Sequence, residues 1–285
     1  MLYYQDKIMD IHEVCLVTFS PTHTSKQVGD AIVRGIGCSK VTNIDLTLNA
    51  IERYEIPQDA LTIISVPVYG GHVAPLALER MKDIHANGSP VVLVVVYGNR
   101  AYEKALIDLD TFASGLGFKV IAGATFVGEH SYSSEKYPVA VGRPDAEDLQ
   151  FAEQFGQKVL TKVANAADME KLYGVDVTRI QRPSQPFFPL FRFMRKVIKL
   201  RKSGVPLPRT PKADAELCTH CGICVKHCPT GAILKGDECS TITEKCIKCC
   251  ACVKSCPQKV RTYDTPFAVL LADCFKRQKE DRIVI

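Results

Sequence analysis

Apolar residues follow two rhythms through the first 165 positions. Runs that are continuous or alternate residue by residue occupy 13–19, 41–47, 61–66, 91–97 and 119–127, the length and pattern of strands. Between them, segments from Lys26 to about Gly35, 101–116 and 145–164 repeat their apolar positions at helical spacing. The runs at 61–66 and 91–97 are nearly unbroken, as central parallel strands buried on both faces require. The alternation predicts an α/β fold, a doubly wound five-stranded parallel sheet with helices on both faces.

Beyond residue 165 this rhythm stops. Prolines at 183, 186, 189, 206, 208 and 211 punctuate a segment from 166 to 213. Within it Phe187, Leu190, Phe191, Met194, Val197 and Ile198 recur at helical spacing, with Arg192, Arg195, Lys196, Lys199 and Lys202 among them. This is a basic amphipathic helix. Its apolar stripe serves to pack on one of the flanking domains, and it also suits a peripheral membrane contact or an acidic redox partner. Charge sharpens the point. Ten Lys or Arg and no Asp or Glu fall between Arg179 and Lys212, which leaves the rest of the +5 chain at −5. The positive charge is therefore local, and nothing in the pattern marks nucleic acid as a partner. The 10 residues at the N-terminus contain no signal-type apolar run, and the run Val91–Val96 is far too short to span a bilayer. Residues 266–285 read as a tail, charged and solvated at Lys276–Arg282.

Cysteine supplies the chemistry. Cys218-x2-Cys221-x2-Cys224-x3-Cys228-Pro229 is repeated as Cys246-x2-Cys249-x2-Cys252-x3-Cys256-Pro257. Three thiolates two residues apart wrap three corners of a four-iron cubane, and the fourth, before proline, points to the other cluster. One [4Fe–4S] cluster is therefore expected on Cys218, Cys221, Cys224 and Cys256, and a second on Cys246, Cys249, Cys252 and Cys228. Structural zinc takes two separated Cys-x2-Cys pairs, and disulfides suit small secreted domains; neither matches a triple followed by Cys-Pro. Cys250 stands where the first repeat has Gly222, and the period selects Cys249 as the ligand with Cys250 as a spare thiol. Cys15, Cys38, Cys239 and Cys274 fit no ligand spacing. A cytoplasmic location, where thiolates stay free to receive clusters, is the expectation. Residues 210–265 resemble the bacterial-type ferredoxins with two [4Fe–4S] clusters.

The strand ends of the first domain hold the remaining unusual residues. The first strand runs into Ser20-Pro21-Thr22-His23-Thr24-Ser25 and a helix, which suits a phosphate cradle or simple N-capping by hydroxyls. Pro67-Val68-Tyr69-Gly70-Gly71 follows the third strand, Tyr97-Gly98-Asn99-Arg100-Ala101-Tyr102 the fourth and Gly128-Glu129-His130 the fifth. No G-x-G-x-x-G follows a strand, so no dedicated NAD-binding domain is expected. Residues 10–165 resemble the flavodoxin-like FMN domains, in particular those fused ahead of a two-cluster ferredoxin. The resemblance implies that Ser20, Thr22, His23, Thr24 and Ser25 surround the FMN phosphate. It also places Pro67, Val68, Tyr69, Gly70, Gly71, Tyr97, Gly98, Asn99, Tyr102, Gly128, Glu129 and His130 around the ring. His23 departs from the pattern, which usually has glycine there, and His130 serves equally well as a surface loop residue.

The expected organisation is thus a flavodoxin-like domain at 1–165, a linker at 166–213, a small α+β ferredoxin domain at 214–265 and the tail. The expected function is electron transfer between two [4Fe–4S] clusters and FMN, with either direction of flow allowed and the redox partner not specified. No catalytic side-chain arrangement stands out; Glu129 and His130 alone lie where protons could be delivered. A flavin oxidoreductase with its own small-molecule substrate is the alternative, as is a ferredoxin whose first domain is a flavin-free docking module.

Overall fold

A computed structural model of the protein describes residues 11–168, 170–204 and 206–285; the N-terminal segment read above for a signal lies outside the described residues. Five parallel strands, β1 (Glu13–Thr18), β2 (Val41–Asp45), β3 (Ala60–Tyr69), β4 (Pro90–Tyr97) and β5 (Lys119–Val127), form a sheet in the order β2-β1-β3-β4-β5. This is the 2-1-3-4-5 order of flavodoxin-like doubly wound folds. Helices α1 (Thr24–Ile36) and α4 (Ala146–Ala164) cover one face, and α3 (Ala105–Gly115) covers the other. The period of two along β4 divides its side chains between them. Val92 and Val94 join the core of Val28, Ile32, Phe155 and Val159, while Val91, Leu93 and Val95 join that of Leu106 and Leu109. Asp145 starts α4 with a capping box closed by Asp148. The β3–β4 connection holds a seven-residue helix, α2 (Pro75–Met81), too short to leave a periodic signal.

The linker and tail depart from expectation. Leu172, Val177 and Ile180 are buried in the cores of the first domain, so much of 166–180 belongs to it. The remainder carries α5 (Phe187–Lys202). The cluster region contains two one-turn helices, α6 (Ile223–Lys226) and α7 (Ala251–Lys254), and a two-stranded pairing of Lys212–Ala213 with Arg261–Thr262. The C-terminal residues are not a solvated tail. After α8 (Pro266–Cys274) the chain returns to the first domain and adds an edge strand, β6 (Arg282–Val284), antiparallel to β5. Three residues are too few to show alternation. The charges before them hid the strand, although two of them are taken up by the fold: Lys279 donates from Nζ to Ser184 O, and Asp281 accepts from the Val127 amide at 2.8 Å. No helix among the described residues is long and apolar enough to cross a membrane.

Asp281 sits beside Asp148, whose carboxylate Arg143 grips with two hydrogen bonds. Burial, with a smaller contribution from Asp148, pushes the Asp281 carboxyl up to about 7. A raised acid stabilises the fold fully below its unfolded value, near 4, and that contribution is lost as pH rises through the folded value. Asp281→Asn should therefore gain stability relative to wild type between pH 5.5 and 8, on the order of a few kcal/mol. Urea midpoints of the two proteins across that range check it; parallel midpoints would mean that Asp281 is ionised throughout.

Candidate functional site

The two cysteine turns are built alike. Left-handed residues curl each one: His220 (φ 52°) and Gly222 (φ 72°) in the first, Lys248 (φ 59°) and Cys250 (φ 59°) in the second. Gly222 and Cys250 each begin a one-turn helix, so the second repeat holds a side chain at a position where glycine is favoured. One small cavity is lined by Cys218, Cys221, Cys224 and Cys256, and a second by Cys228, Cys246, Cys249 and Cys252. Each draws three sulfurs from its own turn and one from the other; Cys250 also borders the second.

Burial pushes the Cys249 thiol up to about 12 and that of Cys252 to about 11, and it raises Cys224 and Cys246 as well. Without metal these thiols stay protonated, so metal uptake releases protons. An all-sulfur donor set of this kind fits iron–sulfur chemistry.

Two features near the turns carry no spacing signal. Arg261, 2% exposed, lines the first cavity and lowers the pKa of Cys252 through its charge and a hydrogen bond. It is anchored on Glu238 O and, at 2.6 Å, on Thr241 Oγ1. Cys239 places its sulfur with those of Cys218 and a ring nitrogen of His220 within 4.8 Å of one another. A buried cation beside the sulfurs favours the more negative, reduced state. Arg261→Met should lower at least one cluster potential by about 60 mV, which corresponds to about 1.4 kcal/mol in a one-electron couple. Redox titration followed by electron paramagnetic resonance checks it, and an unchanged potential at full iron content would show Arg261 to be structural only.

The other site is a cavity of about 370 Å³ beyond the carboxyl ends of β1, β3, β4 and β5, where doubly wound sheets bind ligands. Thr22 and Thr24 form one end of its wall. Pro67–Gly71, Tyr97–Gly98 and Gly128–His130 form the sides. Gly98 has no room for a side chain, since a Cβ there would stand 2.3 Å from the His130 ring.

His130 Nδ1 accepts the Tyr132 amide at 3.0 Å, and burial, reinforced by the charges of Arg100 and Lys254, drops its pKa to about 4. The ring is therefore neutral with its proton on Nε2. Burial also holds the phenols of Tyr69 and Tyr132 above the ordinary tyrosine range, so both remain neutral donors.

At the start of α1 the N-cap residue His23 makes no side-chain cap and Ser20 Oγ takes only the Lys26 amide, so the amides of Thr24 and Ser25 have no intrahelical acceptor. Ser25 Oγ is buried with no partner among the described residues. Free amides, two wall-lining threonines and an orphaned hydroxyl fit a phosphate monoester.

Several expected contacts lie elsewhere. Ser20 Oγ accepts the Lys26 amide at 3.0 Å. His23, left-handed at φ 66°, turns its ring to His227, 6.0 Å away in the cluster domain. Asn99, 1% exposed, donates to Phe275 O and Arg277 O and accepts from the Lys279 amide, so it pins the returning C-terminal segment. Tyr102 is in the core and donates to Ile180 O at 3.2 Å. Tyr97 lines the cavity, yet its hydroxyl is buried without a partner among the described residues. Glu129 is paired with Lys254 of α7 at 2.5 Å, a contact that ties the cluster domain to the first.

Part of the wall comes from outside the first domain. Phe193 comes from α5, Phe267 and Leu271 from α8, and Ile247 and Lys248 from the loop between Cys246 and Cys249.

The model of the 4Fe-4S binding domain family matches residues 211–234, which span the first cysteine turn. The chain joins a flavodoxin-like fold to a 4Fe–4S binding domain. No curated protein matches it. Solved structures similar to it include an archaeal flavodoxin, 14% identical over 53% of this chain and 98% of that one, with a TM-score of 0.36. The flavodoxin of Streptococcus pneumonia TIGR4 is 17% identical over 53% and 99%, with a TM-score of 0.36. An FMN-dependent NADH-azoreductase of Bacillus anthracis str. Ames Ancestor, solved with FMN, is 10% identical over 54% and 100%, with a TM-score of 0.38.

Proposed function

We propose that this flavodoxin–ferredoxin chain is an electron-transfer protein that carries two [4Fe–4S] clusters and one FMN. The supporting observation is a shared wall: Ile247 and Lys248, between Cys246 and Cys249, line the same cavity as Thr22, Tyr69 and Gly98. Bound clusters pass one electron at a time and bound FMN takes one or two, which joins one-electron and two-electron chemistry.

Cys246, Cys249, Cys252 and Cys228 would hold the cluster beside the flavin. Cys218, Cys221, Cys224 and Cys256 would hold the outer one, and the exposed Cys221 marks the face where a partner reaches it. Thr22 and Thr24 with the amides of Thr24 and Ser25 would bind the phosphate. Tyr69, Gly70, Gly71 and Gly98 would flank the ring, and His130 would offer it a neutral N–H. Phe193, Phe267 and Leu271 would add apolar wall beside the ring, and the Glu129–Lys254 pair would keep the two domains in register.

Anaerobically purified protein should contain about eight irons, eight sulfides and one FMN per chain. Four irons, or no flavin after reconstitution, would defeat the reading. One observation favours a flavin oxidoreductase instead: a second cavity of about 390 Å³ shares Tyr69, Gly70 and Ile247 with the first. Sustained turnover of a small oxidant with no protein partner would select that reading.

A further inference from the structure

Helix α5 has two apolar faces. Leu190 and Phe193 pack with Val139, Leu271 and Phe275, and Val197 is buried. This inner face needs nothing further. The second face is bare: Phe187 is 73% exposed, Phe188 80%, Phe191 56%, and Met194 and Ile198 49% each. The rings of Phe187, Phe188 and Phe191 form one patch, Phe187 standing edge-on to Phe188 and stacked on Phe191. Contiguous exposed apolar surface of this kind marks an interaction site.

Charge selects the partner. The helix contains six Lys or Arg and no acid. Arg192 and Lys196 are used on Asp273, but Arg195, Lys199, Arg201 and Lys202 form no ion pair among the described residues. These four flank the apolar face toward its C-terminal end, where long side chains can keep their charge at headgroup level while the stems follow the apolar surface. Aromatic residues on one face bordered by unpaired Lys and Arg are the composition of a helix that lies in the plane of a membrane surface. Because the rest of the chain is net −5, an anionic surface would repel the remaining faces and orient the protein with α5 toward the lipid.

We propose that the outer face of α5 docks the protein on an anionic phospholipid bilayer, with Phe187, Phe188 and Phe191 entering the interface and Arg195, Lys199, Arg201 and Lys202 meeting the headgroups. This does not depend on the redox assignment, because the surface lies outside both cysteine turns and Phe193 alone on α5 lines the flavin cavity.

The full-length, cluster-loaded protein should co-sediment with vesicles of phosphatidylcholine and phosphatidylglycerol, less so as salt is raised, and not with phosphatidylcholine alone. Arg195→Glu with Lys199→Glu should reduce partitioning by more than about tenfold, since each basic residue near the surface contributes about fivefold. Phe188→Asp with Phe191→Asp should abolish it. Both double variants should keep wild-type iron and flavin content, so that lost binding is not lost folding. The chain has no tryptophan, and Phe188→Trp therefore gives a single indole whose emission should shift to the blue on vesicles and be quenched by brominated lipid. Absence of partitioning at low salt, or an indole that ignores brominated lipid, would overturn the proposal. So would a requirement for the same residues in self-association, or in binding an acidic redox protein, with no binding to vesicles.

Discussion

Cys228→Ser should reduce the iron content from about eight to about four per chain, and the loss should fall on the cluster of the second cysteine turn. Cys228 follows the first turn in sequence but lines the cavity of Cys246, Cys249 and Cys252. Double variants make the test decisive. If the ligands cross, adding Cys249→Ser to Cys228→Ser removes nothing more, whereas adding Cys221→Ser removes all remaining iron. If each turn instead served its own cluster, the outcomes would be reversed. Cys250→Ser should leave both clusters, because Cys250 occupies the left-handed position of Gly222 while Cys249 occupies that of Cys221. A thiol at Cys250 that rescued Cys249→Ser would show as iron retained in the single variant and lost when Cys250 is also replaced.

The sheet and the cysteine turns were readable because each is written in a short period. Unbroken valine runs leave no polar face, so β4 had to be buried on both sides. The repeat of triple cysteine and Cys-Pro fixes its own register. Residues in loops carry no such constraint. Asn99 adjoins Gly98 in sequence, but its side chain points to the C-terminal segment and not to the cavity. Tyr102 likewise turns into the core. The return of β6 to the sheet rests on three residues and on Asp281 meeting the Val127 amide, a contact between positions 154 apart. Phe193, Phe267 and Ile247 reach the cavity beyond the strand ends from segments far along the chain, and no local pattern encodes that. The helical stripe of α5 was visible, but its division into a packed and a bare face depends on how wide its neighbour is. Leu190 and Val197 turned inward, and Phe187, Phe191, Met194 and Ile198 were left outside.

Thr22→Ala with Thr24→Ala should weaken FMN by about a hundredfold or more and leave riboflavin nearly untouched. Both threonines line the cavity, next to helix-start amides that have no intrahelical acceptor. Each charge-assisted hydrogen bond lost to a phosphate oxygen corresponds to about 1.5–3 kcal/mol, and about 1.4 kcal/mol is tenfold in affinity. Riboflavin lacks the phosphate, so its binding reads the ring contacts of Tyr69, Gly98 and His130 alone. Ser20→Ala should act differently. Its Oγ is engaged by the Lys26 amide, so the substitution should loosen the first turn of α1 and lower stability by about 0.5–2 kcal/mol, as the loss of a capping hydroxyl does. Titrating both flavins into cluster-loaded, flavin-depleted protein separates these effects. An equal loss of FMN and riboflavin in the threonine variant would mean that the loop shapes the cavity without holding a phosphate, and no FMN binding by the wild type would remove the flavin from the proposed function while leaving the two clusters in place.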